Sequence, residues 1–240
     1  MNSQLPQVIF LDAAGTLFGV RGSVGEQYQK IARQFGVDAD ARILERAFFR
    51  SFTEAPPMAF PGTPISEIPD KEFAWWQAVT KNTFAGANYF HELTDFSEFF
   101  QELYHYFSTP APWEVYPDVI PTLKSWQAQG IELGVLSNFD TRLYDVLDAL
   151  NLASFFTSVT LSTEVGAAKP DPQIFTHALR KYPYPPSATL HIGDSVKADY
   201  QGAKQVGCRA IWLNRSDELP PNTIPDFEHY NSLNHIKLTV

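Results

Sequence analysis

Two aspartates stand just beyond short apolar runs: Asp12 after residues 8–11, and Asp194 after residues 188–192 and Gly193. A carboxylate so placed can serve as nucleophile, proton carrier or metal ligand. Asp199 follows Asp194 by five positions. Carboxylates that cluster repel one another unless a cation sits between them, and hard oxygen ligands select Mg²⁺. Asp12 opens the run Asp-Ala-Ala-Gly-Thr-Leu-Phe, in which Gly15 allows a tight turn and Thr16 offers a hydroxyl. Ser137 and Asn138 end a further apolar run, where a hydroxyl and neighbouring backbone N–H groups suit phosphoryl oxygens. Lys169 precedes Pro170, which favours extended backbone at the lysine.

Each residue alone has a plainer reading. An aspartate after a strand often only forms a turn, and Ser137 or Lys169 alone is an ordinary surface or capping residue. Arg21, Glu26, Tyr28 and Asp140 are the other groups near enough in sequence to contribute a proton. Of these, Asp140 reads as a helix N-cap and Arg21 as a solvated loop charge. His191 lies inside an apolar run and reads as a packed, hydrogen-bonded residue. Trp75 and Trp76 read as core.

The elements that must position these groups follow from periodicity. The continuous apolar runs at 8–11, 131–136, 188–192 and 210–213 suit strands buried on both faces of a parallel sheet, with 158–161 a weaker one. Helix-period stretches alternate with them: 141–150 behind Asp140, 172–179 behind Asp171 with Pro172 in its first turn, and 196–206 stopped by Gly207. Such alternation predicts βαβ units. Residues 19–112 break the rhythm and read as helices without strands. Ser23 and Glu26 have capping-box spacing, residues 40–52 and 72–84 read as helices, and a proline-rich loop separates these two. Phe96, Phe99, Phe100, Leu103, Tyr104 and Phe107 recur at helical spacing, as a bundle core does. The predicted architecture is α/β: a Rossmann-like parallel sheet flanked by helices, over residues 1–18 and 113–240, with an all-helical cap at 19–112 inserted after the first strand.

The chain has 240 residues, 44% of them hydrophobic and 19% charged, as an ordinary globular protein does. A net charge of −9 argues against a nucleic-acid partner, which needs a basic face. One cysteine, Cys208, builds neither a disulfide framework nor a zinc site within the chain. No signal peptide or apolar run of membrane-spanning length is visible, so a soluble cytoplasmic location is expected. Oligomeric state leaves no mark in the sequence.

Taken together, FLDAAGTL, GVLSNFD, KPDPQIF and HIGDSVKAD resemble, in order and spacing, the four motifs of the haloacid dehalogenase-like hydrolases. The likeness spans residues 7–213, and the helical insert stands where this family places a C1-type cap in its IA-type subfamily. The resemblance implies that Asp12 is the nucleophile that forms an aspartyl-phosphate and also a Mg²⁺ ligand. It implies further that Ala14 gives its backbone carbonyl to the metal, that Asp194 ligates it and that Asp199 supports it. Ser137, Asn138 and Thr16 would bind the substrate, and Lys169 would offset charge on Asp12 and the phosphoryl group. One departure matters. The family's phosphatases carry a second aspartate as general acid/base where this chain has Ala14, which resembles a REG-type variant. Two readings of function remain open beside a distant dehalogenase: a Mg²⁺-dependent phosphatase of a small phosphorylated or otherwise anionic metabolite, or a binding protein that keeps Mg²⁺ and an anion pocket without turnover.

Overall fold

The computed structural model describes residues 5–215 and 228–238. Along the chain run β1 (Val8–Leu11), β2 (Phe18–Val20), α1 (Val24–Gln34), α2 (Ala41–Glu54), α3 (Ile68–Gly86), α4 (Phe96–Tyr106) and β3 (Trp113–Val115). Then come α5 (Val119–Ala128), β4 (Glu132–Ser137), α6 (Leu143–Ala149), β5 (Ser158–Leu161), the short α7 (Ser162–Val165) and α8 (Pro172–Leu179). The chain continues with β6 (Thr189–Gly193), a π-helical turn at Val196–Gln201, α9 (Gly202–Gln205), β7 (Arg209–Leu213) and β8 (His229–Tyr230). Among the described residues no helix is long and apolar enough to cross a membrane.

The main sheet has the order β5-β4-β1-β6-β7-β8, and every pairing in it is parallel. The five expected strands are all present. β1 and β4 are buried along nearly their whole length, as continuous apolar runs require of a sheet covered on both faces. From β1 the chain winds outward through β4 to β5, then returns to β6 on the other side of β1. That reversal puts the ends of β1 and β6 at a topological switch point, where open α/β sheets receive ligands. One apolar cluster, including Ile9, Leu11, Val119, Leu123 and Val146, covers one face of the sheet. A second, including Val8, Phe10, Ile174 and Phe175, covers the other.

Helices α1 to α4 form a third cluster around Tyr28, Ile31, Leu44, Phe84 and Phe99. Local chemistry opens them as expected. Ser23 accepts from the Glu26 N–H, and Asp40 caps α2 by accepting from Ile43. Asp95 caps α4 through Glu98. The structure corrects the expectation of a strand-free insert. Gly19 and Val20 belong to β2, which pairs antiparallel with β3, so residues 21–112 leave and rejoin the sheet through a two-stranded ribbon. Two helix bounds also shift. α3 starts four residues before Glu72, with Pro69 in its first turn, and α6 starts at Leu143. Helix 196–206 divides into the π-helical turn and α9.

Candidate active site

β1 and β6 lie side by side, and the Asp12 N–H donates to the Ile192 carbonyl at 2.9 Å, so the two strand ends are tied. Carboxylate oxygens of Asp12, Asp194 and Asp199 all lie within 4.8 Å of one another. Two glycines make this convergence sterically feasible. A Cβ on Gly15, whose φ is +83°, would stand 2.3 Å from Asp194 Oδ2. A Cβ on Gly193 would stand 2.1 Å from Asp199 Cγ.

Lys169 enters this acidic group from the loop before α8. Its Nζ lies 2.8 Å from Asp12 Oδ1 and 2.5 Å from Asp199 Oδ1. Burial disfavours the ammonium, but the charges of Asp12 and Asp199 outweigh it, and the lysine pKa rises above its usual range. Asp199 is fully enclosed. Burial alone would favour its neutral form; Lys169 and the Nε2 of His191, 2.8 Å away, instead hold its carboxyl well below the usual carboxylate range. The second oxygen, Asp199 Oδ2, accepts from the Ser195 N–H at 2.9 Å. Asp194 stands differently. Desolvation against the protein and then the charges of Asp12 and Asp199 raise its carboxyl pKa, only partly opposed by Lys169. Because Asp194 is exposed on one side, solvent moderates that rise.

Asp12 Oδ1 is buried and accepts no directed hydrogen bond; its approach to Lys169 is that of an ion pair. Three convergent carboxylates that offer only oxygen donors fit a small hard cation.

The remaining residues singled out in the sequence fall around this centre. Ser137 ends β4 and is buried. Asn138 accepts from the Lys169 N–H at 2.7 Å and donates to the Lys169 carbonyl at 2.9 Å. Both ends of its carboxamide therefore hold the lysine loop. Thr16 is wholly buried with its hydroxyl unpartnered, and its carbonyl accepts from Arg215 at 2.8 Å. Ala14 is partly buried beside Asp12.

Ala14 also lines an adjoining cavity of about 180 Å³. Aromatic rings make most of its wall, among them Tyr28, Phe48, Phe52, Trp76, Trp113 and Phe139. The aromatic stripe at 96–107, which reads as bundle core, is shared: Phe99 packs in the helix cluster alone, Leu103 and Phe107 belong to both cluster and cavity wall, and Phe100 and Tyr104 line the cavity. Trp76, expected in the core, is a wall residue too. One cation, Arg142, reaches this lining, and it is spoken for. Its Nε and Nη2 donate to the two oxygens of Asp140 at 2.8 and 2.7 Å, and its Nη1 donates to the Tyr104 carbonyl at 2.9 Å. Trp76 Nε1 donates to Asp140 Oδ2 at 2.6 Å, and the guanidinium carbon lies 3.8 Å from the Tyr104 ring centre. Asp140, expected to N-cap the helix at 141–150, does not: α6 opens after Arg142 without a side-chain cap, and Asp140 instead accepts from the Arg142 N–H and neutralises the Arg142 side chain. Beside it, the buried Glu72 of α3 accepts from the Thr141 N–H at 2.9 Å, joining the helical layer to the sheet. His191 and Arg142 were not legible as partners of Asp199 and Asp140. The available signal was a polar residue inside an apolar run for His191, and a charge two residues from Asp140 for Arg142.

A description of the haloacid dehalogenase-like hydrolases matches residues 6–207. The chain belongs to this family. Haloacid dehalogenase-like hydrolase domain-containing protein 3 of Danio rerio is 35% identical over 222 residues, covering 90% of each chain. The glyceraldehyde 3-phosphate phosphatase of Methanopyrus kandleri is 36% identical over 119 residues, which is 47% of this chain and 51% of that protein. In fold, the crystal structure of a phosphatase of the same superfamily from Thermococcus onnurineus superposes with a TM-score of 0.61 at 24% identity, covering 95% of this chain and 94% of that one.

Proposed function

We propose that this member of the haloacid dehalogenase-like hydrolases is a Mg²⁺-dependent phosphatase of a small phosphorylated metabolite, acting through an aspartyl-phosphate on Asp12. The observation that carries the proposal is the convergence of Asp12, Asp194 and Asp199 on the Nζ of Lys169 at the ends of β1 and β6. The relative named as a phosphatase supports the reaction class. In this reading residues 1–18 and 113–240 form the catalytic core, residues 19–112 a C1-type cap of the IA subfamily, and Ala14 marks a REG-type variant.

Asp12, the Ala14 carbonyl and Asp194 would hold Mg²⁺, with Asp199 as outer support. Bound there, the ion would supply positive charge against the phosphoryl oxygens. Asp12 attacks phosphorus with one carboxylate oxygen, forming an O–P bond as the bond to the leaving oxygen breaks. That oxygen departs with the electron pair, and water then hydrolyses the aspartyl-phosphate to release phosphate and regenerate Asp12. Lys169 neutralises charge on the transferring group, and Ser137, Thr16 and the backbone at Asn138 bind its oxygens. Asn138 and His191 act through others, fixing Lys169 and Asp199 respectively.

Ala14 cannot protonate the leaving oxygen. Losing such an acid costs about 10²–10⁴-fold in rate, and the cost is least where the leaving group is already stable, as in aryl and acyl phosphates. The same feature favours the second reading, an anion-binding protein without turnover. A screen of phosphate esters and acyl phosphates with Mg²⁺, using Asp12→Asn as the blank, separates the two. The proposal expects turnover that falls by at least about 10⁴-fold in the blank. No ester turned over above the blank would install the binding reading.

A further inference from the structure

The aromatic cavity borders the carboxylate centre at Ala14, which lines it two residues beyond Asp12. Its chemistry is unusual for a pocket beside three carboxylates. The walls offer ring faces and edges from Tyr28, Phe48, Phe52, Trp76, Trp113 and Phe139. The one cation in the lining has its charge matched by both oxygens of Asp140, and three of its nitrogens already donate. An anionic substituent on the ligand would therefore have to break that pair or stay buried without a partner, which is heavily penalised in apolar surroundings. A sugar would strand several hydroxyls for the same reason.

The volume sets the size. The cavity holds about 180 Å³, and apolar cavities of ~150 Å³ are known to accept benzene. Ring walls favour a flat guest, through offset and edge-to-face contacts. Position 14 then has a second meaning. Ala14 is part of the cavity wall two residues beyond Asp12, so the residue that lacks a proton donor also extends the apolar lining toward the nucleophile.

From this we infer that the cavity receives the aromatic ring of the leaving group, free of charged substituents, while its oxygen departs as the aryloxide at the carboxylate centre, so that the substrate class is the phosphate monoesters of apolar phenols. The inference rests on the phosphatase reading for its catalytic half, while the cavity's taste for a neutral aromatic ring stands without it. An aryl oxygen leaves without an acid, so the wall chemistry and the chemistry at Ala14 select the same compounds.

The test uses the whole chain with Mg²⁺ and two parts. In the first, 4-methylphenol is titrated calorimetrically into the wild type, Val24→Phe and Val20→Phe, both substitutions adding bulk at the cavity wall. Saturable binding of one equivalent with a negative heat-capacity change is expected, weakened at least about tenfold in whichever variants fold. In the second, 4-methylphenyl phosphate is compared with 4-(carboxymethyl)phenyl phosphate, whose phenols ionise alike. The expected preference for the methyl compound is at least about tenfold in kcat/KM, expressed mainly in KM. Failure of 4-methylphenol to bind the wild type, or equal binding by the folded variants, overturns the inference. Equal kcat/KM for the two esters overturns it as well while leaving the phosphatase reading intact. Binding that the variants lose, with no ester hydrolysed, keeps the cavity's specificity and overturns the phosphatase reading alone.

Discussion

The buried charges around Arg142 and those around Lys169 are built differently. Around Arg142 the account is complete: both Asp140 oxygens accept from the guanidinium, Trp76 adds a further donor, and Tyr104 supplies a carbonyl and a ring face. Around Lys169 it is not. Three carboxylates face one ammonium, Asp12 Oδ1 lacks a directed donor, and Asp194 is pushed toward its neutral form. A satisfied network fixes geometry, whereas clustered carboxylates with one ammonium among them suit a cation. The contrast assigns the first group to architecture and the second to chemistry.

The strongest way to break this contrast is to remove one partner from each group. Asp140→Ala leaves the Arg142 guanidinium enclosed and unpaired, a loss expected to cost about 3–5 kcal/mol of stability. Asp12→Asn leaves Lys169 its Asp199 partner and relieves Asp194, so its cost should stay within about 1 kcal/mol. Chemical denaturation of both variants without added Mg²⁺ checks the pair; equal losses would erase the distinction.

A second test sharpens it at the junction between the regions. Ala14→Asp should raise Mg²⁺-dependent hydrolysis of alkyl phosphates by roughly 10- to 10³-fold, with a smaller gain on aryl phosphates. The apolar wall around position 14 should raise the pKa of the new carboxyl, which keeps it protonated and able to donate near neutral pH. Steady-state kinetics on matched esters, with melting and Mg²⁺ titration as controls, decide it. A folded, metal-binding variant without gain on any alkyl phosphate would mean that the centre has diverged beyond this residue.

The smallest expected effect concerns proton linkage. Without metal, the folded-state pKa of Asp194 is raised above its unfolded value. Its contribution to stability is thus fully present below the unfolded pKa and is lost as pH rises through the folded one. Mg²⁺ needs the ionised form, so its affinity should rise with pH over the same window, with up to one proton released per ion. Calorimetry in two buffers of unlike ionisation enthalpy counts that proton. Asp194→Asn should weaken Mg²⁺ binding at least about tenfold and abolish the pH dependence; unchanged affinity would remove Asp194 from the metal site.

Much of this was legible before the fold was known, because the informative signals were local. Asp12, Asp194 and Ser137 announce themselves as breaks at the ends of apolar runs, and β1, β4, β5, β6 and β7 follow from such runs, whereas the two-residue β8 left no such signal. What escaped depends on contacts far apart in the chain. Trp76 meets Asp140 across 64 positions, a separation that leaves no periodic trace. β2 and β3 are three residues each and recognise one another only in space. Helical spacing places Phe100 and Phe107 on an inward face, yet spacing alone does not say whether that face closes on side chains or on a cavity.

The β2–β3 ribbon has a bearing on descent. It pins the two ends of residues 21–112 one strand spacing apart, so the path of the chain through the sheet does not depend on the length of what lies between them. Lineages that keep the strand-end carboxylates can exchange the whole hanging segment as a cassette, and with it the aromatic wall, without rethreading a single sheet strand.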